Sequence, residues 1–89
     1  MPFEVVEFES TPNPNAIKCW LDRPISEGSR SFLDAAAAEG DPLASALFER
    51  AGATCLLFCD DWLTVNKPPE KSWRTVKTAI QRVLAEAEG

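Results

Sequence analysis

The sequence predicts an α+β fold: a four-stranded, mainly antiparallel sheet with helices on one face, in the order β-β-α-β-β-α. Two pairs of strand-like runs, 3–8 with 16–21 and 53–59 with 62–66, are joined by turn residues, and each pair precedes a segment with helical start and stop signals. A chain of 89 residues with 45% hydrophobic content is long enough for one modest core. We therefore expect residues 1–89 to form a single domain.

The first two strand-like runs, FEVVEF and AIKCWL, are rich in β-branched and aromatic residues and flank the segment STPNPN. Pro12 and Pro14 lack the N–H group that a strand ladder needs, while Asn13 and Asn15 can close Asx turns. We therefore predict a rigid turn that fixes the register of two strands, in preference to a ligand-binding loop.

The segment between the second strand and the first clear helix gives weaker signals. DRPISEGSRSF is predicted to be a loop, because Pro24, Gly28 and several serines interrupt any periodicity. FLDAAAAEG contains good helix formers but has little amphipathic character, so we expect a short helical turn there.

Both helices have recognisable ends. Asp41 is a predicted N-cap, Pro42 fits the first helical position, and Gly52 fits the left-handed position after the helix. Ser72 is the predicted N-cap of the last helix. That helix has one apolar face, which consists of Trp73, Val76, Ile80, Val83, Leu84 and Ala87.

Composition and charge limit the function classes. Nine basic against fourteen acidic residues give a formal charge of -5, which disfavours nucleic acid as a partner. The chain lacks the roughly 18 to 20 uninterrupted apolar residues of a membrane-spanning helix, and its first residues are acidic, unlike a signal peptide. We therefore expect no membrane partner and a cytoplasmic location.

Charge is unevenly distributed along the chain. Residues 67–82 contain five basic residues against Glu70 alone and are net +4, which leaves the remainder at -9. An ordinary solvated helix face is the favoured interpretation of this segment, and a docking surface is the alternative.

The cysteines do not have the spacing of a metal site. Three cysteines in a chain without a signal peptide indicate reduced thiols, and the absence of histidine removes a common zinc ligand and general base. Cys55 and Cys59 share a strand face but stand about 13 Å apart along it. Two thiolates on one zinc ion lie within roughly 4 Å of each other. We expect Cys19 and Cys55 to be core residues.

Cys59 lies at the end of its strand, beside a predicted turn at Asp60–Asp61, and leaves one alternative open. It could ligate a cluster or metal shared between two chains. Acidic neighbours disfavour the thiolate that a redox or nucleophilic cysteine needs. The two aspartates are predicted to form a hairpin turn, in preference to a carboxylate pair for acid–base chemistry or magnesium. We therefore expect no enzymatic activity.

Alternation in the second and last strands predicts an interaction surface. Two helices cover one face of a four-stranded sheet, so the opposite face is left open. Trp20 lies on the opposite side of its strand from Cys19, and Trp62, Thr64 and Asn66 share one side of theirs. Two tryptophans on the open face would form an apolar patch suited to protein binding. The alternative is that residues 22–40 shield both rings. The predicted partner-binding residues are Trp20, Trp62, Thr64 and Asn66.

Four sequence elements occur together: TPNPNAIK at 11–18, DPLASALFERAG at 41–52, DDWLTVNK at 60–67, and Trp73 at the start of the last helix. In order and spacing they resemble the N-terminal domain of Nfu/NifU-type iron-sulfur scaffold proteins. The family's usual serine before the Pro-Leu-Ala run is Asp41 here, which exchanges one good N-cap for another.

The resemblance implies a role in iron-sulfur cluster assembly or delivery. In full-length members a C-x-x-C motif in a separate C-terminal domain carries the cluster, and these 89 residues contain no such motif. We therefore expect a standalone N-terminal domain without a cofactor, and no metal ligand is carried over. The expected function is a non-catalytic interaction module that docks, through its open sheet face, on proteins of iron-sulfur cluster assembly or on recipient apoproteins. The alternative is an iron-sulfur or metal carrier that uses Cys59 across a dimer.

Overall fold

The computed structural model describes residues 3–86, so Ala87 of the predicted apolar helix face lies outside the described part. Five antiparallel strands form one sheet in the spatial order β1-β2-β5-β4-β3. The elements in chain order are β1 (Val5–Ser10), β2 (Ala16–Leu21), β3 (Ser29–Phe32), a 3₁₀ turn (Ala36–Ala38), α1 (Pro42–Arg50), β4 (Cys55–Cys59), β5 (Trp62–Asn66) and α2 (Trp73–Glu86).

A polar turn joins β1 to β2 and is held by its own side chains. Thr11 Oγ1 donates to the carbonyl oxygen of Ala16 at 3.0 Å, and Asn13 Oδ1 accepts from the backbone N–H of Asn15 at 2.9 Å. These hydrogen bonds hold the backbone of the turn around Pro12 and Pro14 in one conformation. The prediction of a rigid connection between two paired strands is confirmed.

A second hairpin joins β4 to β5. Cys59 and Trp62 are directly paired across it, which leaves Asp60 and Asp61 as the loop. Asp60 adopts φ 48°, in the left-handed region that aspartate tolerates better than most residues. The two aspartates therefore form a turn, as expected from the sequence.

The sheet has five strands, so the prediction of four strands and of a loop over residues 22–32 is wrong. β3 pairs with β4 from Ser29 to Phe32, at the edge of the sheet. Phe32 is the one apolar side chain in this strand, and the other three residues are exposed. A short polar edge strand is held by backbone pairing, so its side chains carry no alternating pattern to detect.

Both helices pack on the same face of the sheet and enclose the core. The core combines side chains from β2, β4 and β5 with the inner sides of α1 and α2. Its largest fully buried members are Phe58, Leu47, Leu56, Leu63, Ile80, Leu84, Val65, Val76 and Cys19. No helix within residues 3–86 is long and apolar enough to cross a membrane.

The helix ends follow the sequence signals. Asp41 Oδ1 accepts hydrogen bonds from the backbone N–H groups of Leu43 and Ala44, at 3.0 and 3.1 Å. Gly52, just beyond α1, has φ +74°. At the start of α2, Ser72 Oγ accepts from the N–H of Arg74 at 3.2 Å. The predicted caps are therefore confirmed.

The cap at Asp41 gives a stability prediction. Asp41→Ala removes the acceptor for two helical N–H groups and should lower the free energy of unfolding by about 1–2 kcal/mol. Asp41→Asn keeps a capping oxygen and loses only the 3.1 Å ion pair with Arg30, whose side chain is half exposed, so it should cost less than about 1 kcal/mol. Urea unfolding followed by tryptophan fluorescence measures both. Equal losses in the two variants would show that capping is not the cause.

Candidate functional site

The face of the sheet opposite the helices is uncovered. We call the set of half-buried side chains that point from it the open face. It consists of Lys18, Trp20, Cys55, Leu57, Cys59, Trp62, Thr64 and Asn66. Ile25, Phe32 and Ala38, from the segment 22–40, pack into or against the core on the helix side of the sheet. Those apolar residues of the segment therefore serve the core and not the tryptophans.

Trp20 and Trp62 lie side by side at one end of the open face. They are direct cross-strand partners, and their ring centroids are 6.4 Å apart at an interplanar angle of 56°. Lys18 precedes Trp20 by two residues and therefore shares its side of the strand. Its Nζ lies 4.2 Å from the Trp20 centroid and 4.3 Å from that of Trp62. This end of the open face thus holds an ammonium group over two indole rings, and we call Lys18, Trp20 and Trp62 the aromatic cluster.

Acidic residues of β1 border the aromatic cluster. Glu9 is the cross-strand partner of Lys18, but its carboxylate accepts a 3.3 Å hydrogen bond from Trp20 Nε1. Glu7 is the partner of Trp20, and both glutamates are exposed. Glu9 therefore orients the Trp20 ring, while Lys18 has no carboxylate within ion-pair distance among residues 3–86.

The structure places the four predicted site residues on one face but does not cluster them all. Thr64 is paired with Lys18 on one side and Leu57 on the other, directly beside the aromatic pair. Asn66 lies four residues beyond Trp62 in β5, about 13 Å away along the strand. Lys18 was missed as a candidate from the sequence, although it has the same strand parity as Trp20.

Two thiols also lie on the open face. Cys59 Sγ accepts from Ser29 Oγ at 3.6 Å and donates to Asp60 Oδ2 at 3.7 Å. Cys55 is half-buried and pairs with Asn66. The expectation that Cys55 is a core residue is therefore wrong, because the buried residues of β4 are Leu56 and Phe58, at alternate positions.

Cys19 differs from the other two thiols. It is 0% exposed and belongs to the core, as expected. Burial raises the pKa of its thiol from 9.0 to about 12, and the nearby positive charge of Lys77 opposes that shift without cancelling it. Cys19 is therefore a neutral thiol at physiological pH. Within residues 3–86, no group of three or more His, Cys, Asp or Glu side chains is placed to hold a metal ion.

A groove of about 650 Å³ lies on the helix side of the sheet, near the end of α2. Arg50 Nη2 and Glu86 Oε2 form a 2.7 Å ion pair on its rim, which raises the pKa of Arg50 and lowers that of Glu86. Asp41, also on the rim, is occupied by the α1 cap and Arg30. The charged groups of this groove are thus already engaged within the chain.

Comparison with known proteins identifies the family. The profile of the family described as scaffold protein Nfu/NifU N terminal matches residues 6–88. The chain belongs to this family. It is 33% identical to the human mitochondrial protein NFU1 iron-sulfur cluster scaffold homolog, over 89% of this chain and 32% of that protein. It is also 33% identical to the mitochondrial NifU-like protein 4 of Arabidopsis thaliana, over 84% of this chain and 27% of that protein.

Solved structures agree on the Nfu/NifU N-terminal fold. A NifU-like protein from Saccharomyces cerevisiae superposes with a TM-score of 0.76 at 25% identity, over 90% of this chain and 74% of that one. A Staphylococcus aureus protein superposes with a TM-score of 0.73 at 20% identity, over 90% and 96% of the two chains. The second likeness, at this identity, concerns the fold alone.

The chain spans about a third of the length of these curated relatives. The human and Arabidopsis relatives are mitochondrial proteins. That location does not agree plainly with the cytoplasmic one expected from the sequence, which stays a prediction.

Three of the four sequence elements that carry the resemblance, at 11–18, 60–67 and Trp73, meet in one cluster beside the open face. Lys67 is 7% exposed, and its Nζ lies 3.3 Å from Asn15 Oδ1, 3.4 Å from the Pro68 carbonyl oxygen and 5.2 Å from the Trp73 ring centroid. Trp73 Nε1 donates to the Pro14 carbonyl oxygen at 2.9 Å. These contacts tie the turn after β1, the end of β5 and the start of α2 together.

The buried thiol of this Nfu/NifU domain predicts a loss of stability at alkaline pH. Below pH 9 the thiol is protonated in both folded and unfolded chains; between pH 9 and about 12 the unfolded chain alone releases the proton. The unfolded state then binds fewer protons, so stability falls as pH rises, by about 1 kcal/mol at pH 10 for this group. Unfolding free energies of the natural chain and of Cys19→Ala should diverge in slope over this range. Identical slopes would contradict the assignment.

Proposed function

We propose that this chain is a non-catalytic protein-interaction module in iron-sulfur cluster assembly or delivery. Its partners in this proposal are proteins that assemble the cluster or apoproteins that receive it. Membership of the Nfu/NifU N-terminal family and similarity to a human protein named as an iron-sulfur cluster scaffold homolog support this setting. The docking surface in the proposal is the open face.

The observation that carries the proposal is the tryptophan pair on an uncovered sheet. Trp20 and Trp62 are half-buried although nothing packs over the sheet there, because they shield each other and Lys18. Large aromatic side chains in this position lose their remaining hydration when a partner covers them, and tryptophan is enriched among residues that dominate binding energy.

Charge gives the proposed interface an orientation. Lys18 offers a partner one ammonium group in the aromatic cluster, and Glu7 offers a carboxylate at the β1 edge. Thr64 and Asn66 add polar groups along β5. An apolar centre with polar groups around it is the usual arrangement of a protein–protein interface. A suitable partner surface has a carboxylate opposite Lys18 and an apolar side chain opposite the rings.

Substitution on the open face tests this proposal. Trp62→Ala and Trp20→Ala should each weaken binding to the purified partner at least tenfold, since residues at the centre of an interface commonly contribute about 2 kcal/mol or more. Thr64→Arg provides a second variant, because it adds bulk to the open face without removing a packed ring. Binding to purified assembly proteins and recipient apoproteins is measured by titration calorimetry.

The control for these variants is Thr78→Ala, an exposed position on the outer side of α2. It should leave binding at the open face unchanged. If a partner binds the natural chain and binds the Trp62→Ala and Thr64→Arg variants equally well, the open face is not the docking surface. Backbone amide shifts of the isotope-labelled chain should then locate the true contact elsewhere.

The second candidate function is an iron-sulfur or metal carrier that uses Cys59 from two chains. Its support is the position of Cys59, a half-buried thiol on the open face directly beside Trp62. Two chains that meet through their open faces would bring their Cys59 thiols toward a common interface. In this candidate the iron-sulfur cluster is cargo shared between chains.

Anaerobic reconstitution with ferrous iron and sulfide separates the two candidates. The interaction module should remain colourless and free of iron after desalting. The carrier should bind stoichiometric iron, elute as a dimer, and lose both properties in Cys59→Ser. Cys55→Ser is the matched control, since it changes a thiol on the same strand and the same face. Iron binding lost equally in both serine variants would exclude a site specific to Cys59.

A further inference from the structure

A second charged surface lies on the outer side of α2, away from the sheet. Its side chains are Arg74, Lys77 and Arg82, and we call them the basic stripe. Lys71 precedes the helix, and its amine lies against Gly52 at the end of α1, so it is not part of the stripe. Arg74 and Arg82 are exposed, and Lys77 lies at the flank of the helix, half-buried, with its Nζ 5.2 Å from the Phe8 ring centroid. The inner side of the same helix is buried in the core.

None of the three forms an ion pair within residues 3–86, where the ion pairs use Arg23, Arg30 and Arg50. Glu86 is the one acidic residue of α2, and its carboxylate is paired with Arg50. A merely solvated helix face usually carries both signs of charge, spaced to pair three or four residues apart. Arg82 has Glu86 four residues ahead of it and contributes, after Arg50, to the lowered pKa of that carboxyl, but Arg74 and Lys77 have no acidic residue at this spacing within α2.

The position of Arg74 in the basic stripe is unfavourable with respect to the helix dipole. Arg74 lies in the first turn of α2, where the peptide dipoles leave a partial positive charge and acidic side chains are favoured. This turn contains no acidic residue. Helix stability therefore does not account for a cation at this position. A positive charge that is unfavourable for helix stability is expected where the charge serves binding.

We propose that the basic stripe binds an acidic segment of a partner protein. Arg74 and Arg82 are eight residues apart, or about 12 Å along the helix axis. A segment of similar length with two or three carboxylates, such as one face of an acidic helix, matches this span and its charge. The stripe and the open face lie on opposite sides of the molecule, so this binding is separate from docking at the open face.

The remaining charges favour a short acidic segment over other polyanions. Outside residues 67–82 the chain is net -9, which repels an extended nucleic acid that reaches beyond the stripe. A membrane surface is also a poor match, because the apolar side of α2 is buried and leaves nothing to insert among lipids. A compact partner segment engages the stripe and avoids the acidic remainder.

The test uses a fluorescent helical peptide with glutamates at every fourth position, and the same peptide with glutamines. Fluorescence anisotropy should show binding of the glutamate peptide at low salt, and weakening as salt screens the charges. The double variant Arg74→Gln with Arg82→Gln should bind about fivefold more weakly or worse, since each exposed ion pair contributes up to about a factor of five. Its melting temperature should equal or exceed that of the natural chain.

The matched control is Arg23→Gln with Arg30→Gln, which removes two positive charges away from α2 and gives the same net charge of -7 from -5. It should bind the peptide within about twofold of the natural chain. The Trp62→Ala variant should also retain peptide binding. Equal losses in the two double variants would overturn the proposal, as would no binding of the glutamate peptide at low salt. Tighter binding to a single-stranded DNA oligonucleotide or to phosphatidylserine vesicles would overturn it too.

Discussion

The antiparallel pairing of β2 with β5 is the constraint on which the rest of this structure depends. It joins segments far apart in the sequence, with Ile17 opposite Val65 in the core and Trp20 opposite Trp62 outside it. Side chains in a strand alternate between faces, so a slip of one residue would exchange the two sets completely. Such a slip would bury Lys18 and expose the core. The register that encloses the core is therefore also what assembles the open face.

Shared sequence motifs maintain this register at one end of the sheet. The backbone N–H of Lys67 donates to the Asn15 carbonyl oxygen at 2.8 Å, which extends the pairing just past the last ladder position. The Lys67 ammonium then bonds to the Asn15 side chain, and Trp73 bonds to Pro14. Asn15, Lys67 and Trp73, which lie in the elements that carry the family resemblance, therefore act on fold geometry. Lys18, Trp62 and Thr64, from the same elements, belong to the open face.

The alternation of apolar and polar residues made the central strands predictable from the sequence, but it gave no signal for the edge strand β3. β2 and β5 occur at the bounds expected from the sequence, because half their side chains enter a core that demands apolar residues. β3 is an edge strand that contributes Phe32 alone to the core, so its polar sequence resembles a loop. The alternation of side chains along β4 would also have placed Cys55 on the open face, because Leu56 and Phe58 are the better core residues of that strand. Which face the helices cover depends on tertiary packing that no local pattern specifies.

The charge distribution follows from the same arrangement of layers. α2 buries its apolar side against the sheet, so its basic side chains point away from the open face. The open face itself is bordered by the glutamates of β1, and the two surfaces differ in sign. Because the helix layer separates them, a partner on one does not block the other. The two proposed partners are therefore distinguished by the apolar contact that only the tryptophan pair of the open face offers, since each of them would bring carboxylates.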